Sequence, residues 1–210
     1  MSKSFYSLGL MSGTSMDGVD VSIINSDGNV KFKGILNKYF EYSEDLHKKL
    51  ISSRGKINSS EDLEVYSKEL DLLQKEITLF HSKAVNEVVK EIDFNLDIIG
   101  FHGQTIFHNG DKKISRQLGD GNLLSQLVKK KVVYDFRQND LKNGGQGAPL
   151  TPIFHKIISK EIKIDPPLCI LNLGGIANIT AIESDENSAL VSCDIGPGNC
   201  LIDEWMRKKT

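Results

Sequence analysis

The run Gly13-Thr14-Ser15-Met16-Asp17-Gly18, continuing into Val19 and Asp20, is the first stretch whose residue types could do chemistry. A turn bracketed by glycines exposes backbone N–H groups, and two hydroxyls add donors, a set that can cradle phosphate oxygens. Asp17 and Asp20 could hold a magnesium ion, directly or through water. The same hexapeptide also reads as an ordinary hairpin turn.

Two later stretches carry a comparable signal. Gly174-Gly175 permits close backbone approach, and Asn172, Asn178 and Thr180 could donate to phosphate. Asp194-Ile195-Gly196-Pro197-Gly198-Asn199 places an acidic residue at a strand end, then opens a helix whose N-terminus offers free N–H groups to an anion. A carboxylate beside a phosphate site is what a kinase needs for its nucleophile. His102, Gln104, Thr105, Asp120, Asp135, Arg137 and Asp140 form a mixed set of donors and acceptors, better suited to a polyhydroxylated sugar than to an apolar ligand. His108 and His155 read as satisfied structural histidines. No histidine pair has the helical ligand spacing of a metal site.

Gly-Thr-Ser-Met also matches the subtilisin nucleophile motif, where the acid and the histidine precede the serine. No Asp or His stands before Ser15, and the chain runs on into a strand-like segment where such a hydrolase needs a helix.

The elements that must position these residues follow from periodicity. FYSLGLM, GVDVSIIN and VKFKGILNKYF read as strands separated by turn chemistry. From Ser60 to about Ile92 the pattern is helical. Leu63, Leu70, Ile77 and Ala84 recur every seven residues, with Tyr66, Leu73 and Phe80 between, which reads as a core-facing stripe, with a dimeric coiled coil as the alternative. DIIGF is a buried strand, GDGNLLSQLVKKK a helix, VVYDFR a short strand, NGGQGAP a loop and PLTPIFHKIISKE a helix. Alternating strands and helices predict an α/β sheet with parallel members, its ligands at the strand ends. Asp165-Pro166-Pro167 predicts a domain boundary. After it, LCILNLGGIANITAI repeats the strand, glycine turn, strand order of the N-terminus, and two such hairpins could grip a polyphosphate.

Composition narrows the function classes. The 210 residues carry 26 Lys+Arg against 28 Asp+Glu, a formal net charge of −2, with pI near 6.2. That balance argues against a nucleic-acid partner held by phosphate neutralisation and against a membrane-surface partner. Cys169, Cys193 and Cys200 form no CxxC and suggest a reducing compartment. No signal peptide or spanning segment is legible, so the expectation is a cytoplasmic protein.

MSGTSMDGVD, FHGQT, QLGDG, DFRQNDLKNGGQGAPLTP, NLGGIANIT and DIGPGNCLID, in this order over nearly all of the chain, resemble the anhydro-N-acetylmuramic acid kinase family. The resemblance implies an α/β, actin-like ATPase (ribonuclease H-like) fold with two related lobes. The first would occupy 1–165 complete, and the second would begin at 166–210 and be truncated. It implies ATP and magnesium as cofactors and 1,6-anhydro-N-acetylmuramic acid as substrate. The sugar would be opened by water and phosphorylated to N-acetylmuramic acid 6-phosphate in murein recycling. Gly13 to Asp20 would be the ATP phosphate loop and Asp194 the base that activates water. An aspartate of pKa about 3.9 is a weak base for bulk water. Water grows far more acidic as it bonds to an oxocarbenium-like carbon, so a positioned weak base suffices. Homodimerisation is a further implication. Ile195 departs from the family, which usually has Thr there, and removes a hydroxyl from the phosphate turn. The competing expectation is a non-catalytic remnant that binds at most a sugar.

Overall fold

The computed structural model describes residues 3–184 and 190–209. Its contacts divide the chain into two compact units, Met1–Gly28 with Phe32–Gly147, and Asn29–Lys31 with Ala148–Thr210.

The first unit opens with an antiparallel meander, β1 (Phe5–Ser12), β2 (Gly18–Ser26) and β3 (Phe32–Glu41). Alternation sets its faces. Leu8, Leu10 and Ser12 of β1 and Val19, Val21 and Ile23 of β2 all point inward and are buried, as a period of two requires. After the helices α1 (Glu44–Lys56), α2 (Ser60–Val65) and α3 (Ser67–Val89), the chain returns as β4 (Ile98–Asn109), parallel to β1. Next come β5 (Ile114–Leu118), α4 (Gly121–Val128), β6 (Val132–Tyr134) and α5 (Phe136–Lys142). The first half of β4 pairs with β6 in parallel and its second half with β5 antiparallel, so both partners share the edge of β4 away from β1. The sheet order is β3-β2-β1-β4-β5, and β6 pairs with β4 off this path.

The heptad stripe faces inward, as its spacing predicts. Leu70, Leu73, Ile77 and Ala84 are buried, and Leu63, Tyr66 and Phe80 pack against the same core. The helix is not continuous, because Tyr66 adopts φ −97°, ψ 14° between α2 and α3. Three elements were not legible as such. The first is α1, whose N-cap Ser43 accepts from the Leu46 N–H at 3.3 Å. The second is β5. The third is α5, which starts inside the stretch that reads as a strand. Asp135 takes φ 60° there, and only the residues before it pair with β4.

The second unit contains α6 (Pro152–Glu161) and a second antiparallel meander, β7 (Leu168–Leu173), β8 (Ile176–Ile182) and β9 (Leu190–Pro197), followed by α7 (Cys200–Lys209). One face of this sheet is buried at Thr180 and Ile182, while Leu171, Leu173, Val191 and Ile195 are exposed. His155 on α6 hydrogen-bonds Thr180 through Nδ1 at 2.8 Å, fastening the helix to the sheet. That contact explains a buried histidine without a functional role.

Candidate functional site

Between β1 and β2 the chain reverses over residues 13–17. The Met16 N–H donates to the Gly13 carbonyl at 3.2 Å, and Met16 takes φ 58° with its side chain only 3 % exposed. Left-handed backbone costs a non-glycine residue about 1 kcal/mol, and burial of the Met16 side chain offsets it. Beneath the turn lies a set of buried polar contacts. Ser12 Oγ donates toward Gln104 Oε1 at 2.6 Å and the Gly18 carbonyl at 2.9 Å, and lies 2.9 Å from the Tyr42 hydroxyl. Gln104 Nε2 donates to the Gly13 carbonyl at 2.9 Å. The Tyr42 N–H donates to the Asp17 carbonyl at 2.8 Å. Any Cβ at position 18 would overlap the Phe40 carbonyl oxygen and the Tyr39 ring, so Gly18 is there for close approach.

Above this support Thr14 and Asp17 are exposed and Ser15 half-buried. Ser15 donates to Asp17 Oδ1 at 2.7 Å. Burial, and then the Asp17 carboxylate, pushes the Tyr39 hydroxyl up to about 12. Burial and the Asp17 charge together raise the pKa of Asp20. Asp17 lies near enough to act on Asp20, and two neighbouring carboxylates are hard oxygen donors of the kind a divalent cation takes. Among the described residues no group of three or more His, Cys, Asp or Glu side chains gathers for a metal. Such an ion would therefore complete its shell with water or substrate oxygens.

A cleft of about 240 Å³ opens beside Phe101, His102 and Gly103 and is bounded by Arg116, Gln117, Asp135 and Gln138. Of the seven residues expected to bind sugar, His102 and Asp135 line it. Burial, followed by the Arg137 charge, holds His102 down at about 4, so its ring is neutral near pH 7. Arg137 donates to His102 Nε2 at 2.9 Å, which places the ring proton on Nδ1, toward the Gly103 carbonyl at 2.8 Å. His102 thus orients Arg137, whose other arm donates to the Gly147 carbonyl at 2.6 Å. Burial raises the Asp135 pKa. Thr105 accepts from Gln117 at 3.3 Å.

The remaining three have structural partners. Gln104 is fully buried beneath the turn. Asp120 caps α4 by accepting from the Leu123 N–H at 2.9 Å. Asp140 accepts from the Gly147 N–H at 2.7 Å and so shapes the NGGQG loop. Sequence reasoning missed Ser12, Tyr42, Arg116, Gln117 and Gln138. Ser12 did carry a signal, as a polar residue on the inward row of β1, whereas Tyr42 carried none.

In the second unit the Gly174-Gly175 bend is bound to the segment after Asp194. The Gly198 N–H donates to the Gly175 carbonyl at 3.0 Å and the Asn199 N–H to the Gly174 carbonyl at 2.9 Å. Asp194 is exposed on β9 opposite Asn178. Ile195 is 55 % exposed. The two stretches singled out in this part of the sequence are therefore neighbours, and Asn172 lies on the strand entering the bend.

Comparison with known proteins places the chain. Residues 5–210 match the family model for anhydro-N-acetylmuramic acid kinase. A protein of that name from Pelagibacter ubique (strain HTCC1062) is 57% identical over 210 residues, covering 100% of this chain and 56% of the relative. The namesake from Zymomonas mobilis subsp. mobilis (strain ATCC 31821 / ZM4 / CP4) is 41% identical over 213 residues, covering 97% of this chain and 56% of its own length. A third, from Brucella canis (strain ATCC 23365 / NCTC 10854 / RM-666), is 37% identical over 204 residues, covering 95% and 54%. The chain spans about half the length of these curated relatives. No helix among the described residues is long and apolar enough to cross a membrane. The family match carries the actin-like, ribonuclease H-like α/β fold. Fold, motif order and matches over almost every residue converge on one kinase family, and the chain belongs to the anhydro-N-acetylmuramic acid kinases.

Proposed function

We propose that this chain supplies the phosphate-binding turn, the sugar-facing cleft and the catalytic aspartate of an ATP-dependent enzyme. That enzyme opens 1,6-anhydro-N-acetylmuramic acid with water and phosphorylates it to N-acetylmuramic acid 6-phosphate. Backbone N–H groups and hydroxyls from Gly13 to Asp20, with Asn172, Gly174 and Gly175, take phosphate oxygens. His102, Thr105 and Asp135, with Arg137 oriented by His102, meet the amino sugar, while Gln104, Asp120 and Asp140 shape the loops that carry them. Asp194 accepts the proton of the attacking water. The 6-oxygen released by ring opening attacks the γ-phosphorus, and the bond from that phosphorus to the bridging oxygen of ATP breaks. Asp17 and Asp20 would hold magnesium, which neutralises phosphate charge when bound. The two-lobe reading, 1–165 and 166–210 onward, and a homodimeric assembly belong to the same proposal.

The observation that carries it is the buried polar support beneath an exposed glycine turn. An ordinary hairpin needs no fully buried glutamine 92 residues away. ATP-dependent release of N-acetylmuramic acid 6-phosphate is the expected activity, and Asp194→Asn should abolish it. Turnover surviving that substitution removes Asp194 from the mechanism.

The coverage of about half of each relative favours a second reading for these 210 residues alone, namely sugar binding without turnover. Calorimetry separates the two. Binding of the anhydro sugar without any ATP–magnesium signal supports the second, and tight binding of both supports the first.

A further inference from the structure

We propose that Tyr42, which belongs to none of the motifs above, is a positioning residue for the phosphate turn. Ser12 Oγ has three partners, and two of them, Gln104 Oε1 and the Gly18 carbonyl, can only accept. The single hydrogen of Ser12 must serve those two. In the 2.9 Å contact between Ser12 and Tyr42 the phenol is therefore the donor. The hydrogen bonds then run in one direction, from Tyr42 to Ser12, from Ser12 to Gln104 and Gly18, and from Gln104 Nε2 to Gly13. They end on the first glycine of the bend and on the glycine that follows it.

The main chain of Tyr42 adds a second hold, because its N–H binds the Asp17 carbonyl. One residue just past the end of β3 thus reaches Gly13, Asp17 and Gly18 together. Its own place is fixed. The side chain is 4 % exposed, and its ring packs edge-on against Phe80 with centroids 4.8 Å apart. Burial raises its pKa, which keeps the hydroxyl protonated and able to donate. Directed chains of buried hydrogen bonds reinforce each other, so removing the first donor loosens both ends of the bend.

This inference rests on reading residues 13–20 as the phosphate loop, and the test separates the two claims. Tyr42→Phe keeps the ring and the main-chain bond and removes only the phenolic proton. In the 210-residue chain, ATP–magnesium affinity by calorimetry should fall about five- to tenfold, the effect of one buried hydrogen bond. Affinity for the anhydro amino sugar should stay within about twofold. Hydrogen exchange of the amides of residues 13–18, measured without ligand, should quicken by about tenfold, while exchange in α3 stays unchanged. Ser12→Ala should reproduce this pattern. Unchanged exchange in the turn overturns the proposal. So does an equal fall in both affinities together with a fall in global stability, because that marks a residue of general structural importance. If the unsubstituted chain binds no nucleotide, the phosphate-loop reading fails with the ligand part of the proposal, and the exchange data alone judge whether Tyr42 holds the bend.

Discussion

Among the described residues a glycine bend stands at the first corner of each three-stranded antiparallel meander, and the two differ in how far buried side chains support them. The bend at residues 13–17 stands on side chains delivered from far along the chain, with Tyr42 30 residues and Gln104 92 residues from Ser12. The bend at Gly174-Gly175 is held by main-chain bonds from Gly198 and Asn199. Side-chain support buried in a core ties a loop to the stability of its whole unit, whereas main-chain clamps tie it to one neighbouring segment. Similar local geometry therefore carries different sensitivities to substitution.

The largest effect should appear with pH, which acts on the first unit through two histidines and on the second through His155, whose pKa burial also lowers. In the first unit His81 is fully buried and His102 lines the cleft. Burial drives His81 to about 4, against its ordinary 6.5, and His102 is held down similarly. The unfolded chain binds protons at these rings below 6.5, while the folded protein resists until about 4. Stability is thus full above 6.5 and is lost as pH falls toward 4. Each ring should remove about 2 kcal/mol between pH 7 and pH 5. Urea titrations monitored by amides of β1 and α3 measure it, and a midpoint that stays constant from pH 7 to 5 breaks the comparison.

Next in size is the effect of a methyl group at the closest approaches. Gly18→Ala would drive its Cβ into the Phe40 carbonyl oxygen and the Tyr39 ring, and should cost about 3 kcal/mol of unfolding free energy. Gly198→Ala would strike the Gly174 carbonyl oxygen and should loosen β7–β9 while leaving exchange in the first unit as it was. Denaturation of both variants, read by amides of each unit, tests whether damage stays in the unit where it was made. Spread of the Gly198→Ala effect into β1 or α3 contradicts that division.

The smallest effects sharpen the functional side. A Cβ at Gly174 would meet the Ile176 carbonyl oxygen at an ordinary 3.6 Å, and one at Gly13 would meet Ser15 Oγ at 3.8 Å. Gly13→Ala and Gly174→Ala should therefore change stability by no more than about 0.5 kcal/mol. If either still impairs ATP binding, the loss lies in contact with phosphate. Full affinity in both removes these glycines from the proposed site.

Much of this was legible in the residues themselves. Alternating apolar positions placed β1, β2 and β3, and the seven-residue recurrence placed the inward face of α3, because burial of one face per element follows directly from side-chain period. Both glycine bends were visible because glycine marks positions where a chain turns or is closely approached. The residues expected to face a sugar sit in different surroundings. His102 and Asp135 line the cleft, and Gln104, Asp120 and Asp140 contact the turn, a helix N-terminus and a loop. A polar residue at a strand end has the same appearance in sequence whether it faces a ligand or a backbone amide.

The sequence by itself determined which segments become strands and helices, where the chain bends, and which kinase family it joins. These depend on local periodicity and on motif order. Only the tertiary structure decided that Ser12, Tyr42 and Gln104 meet under one turn and that His102 points its proton away from Arg137. Hydrogen-bond partners are chosen by how the sheet and helices bring distant residues together, and no spacing along the chain encodes that meeting.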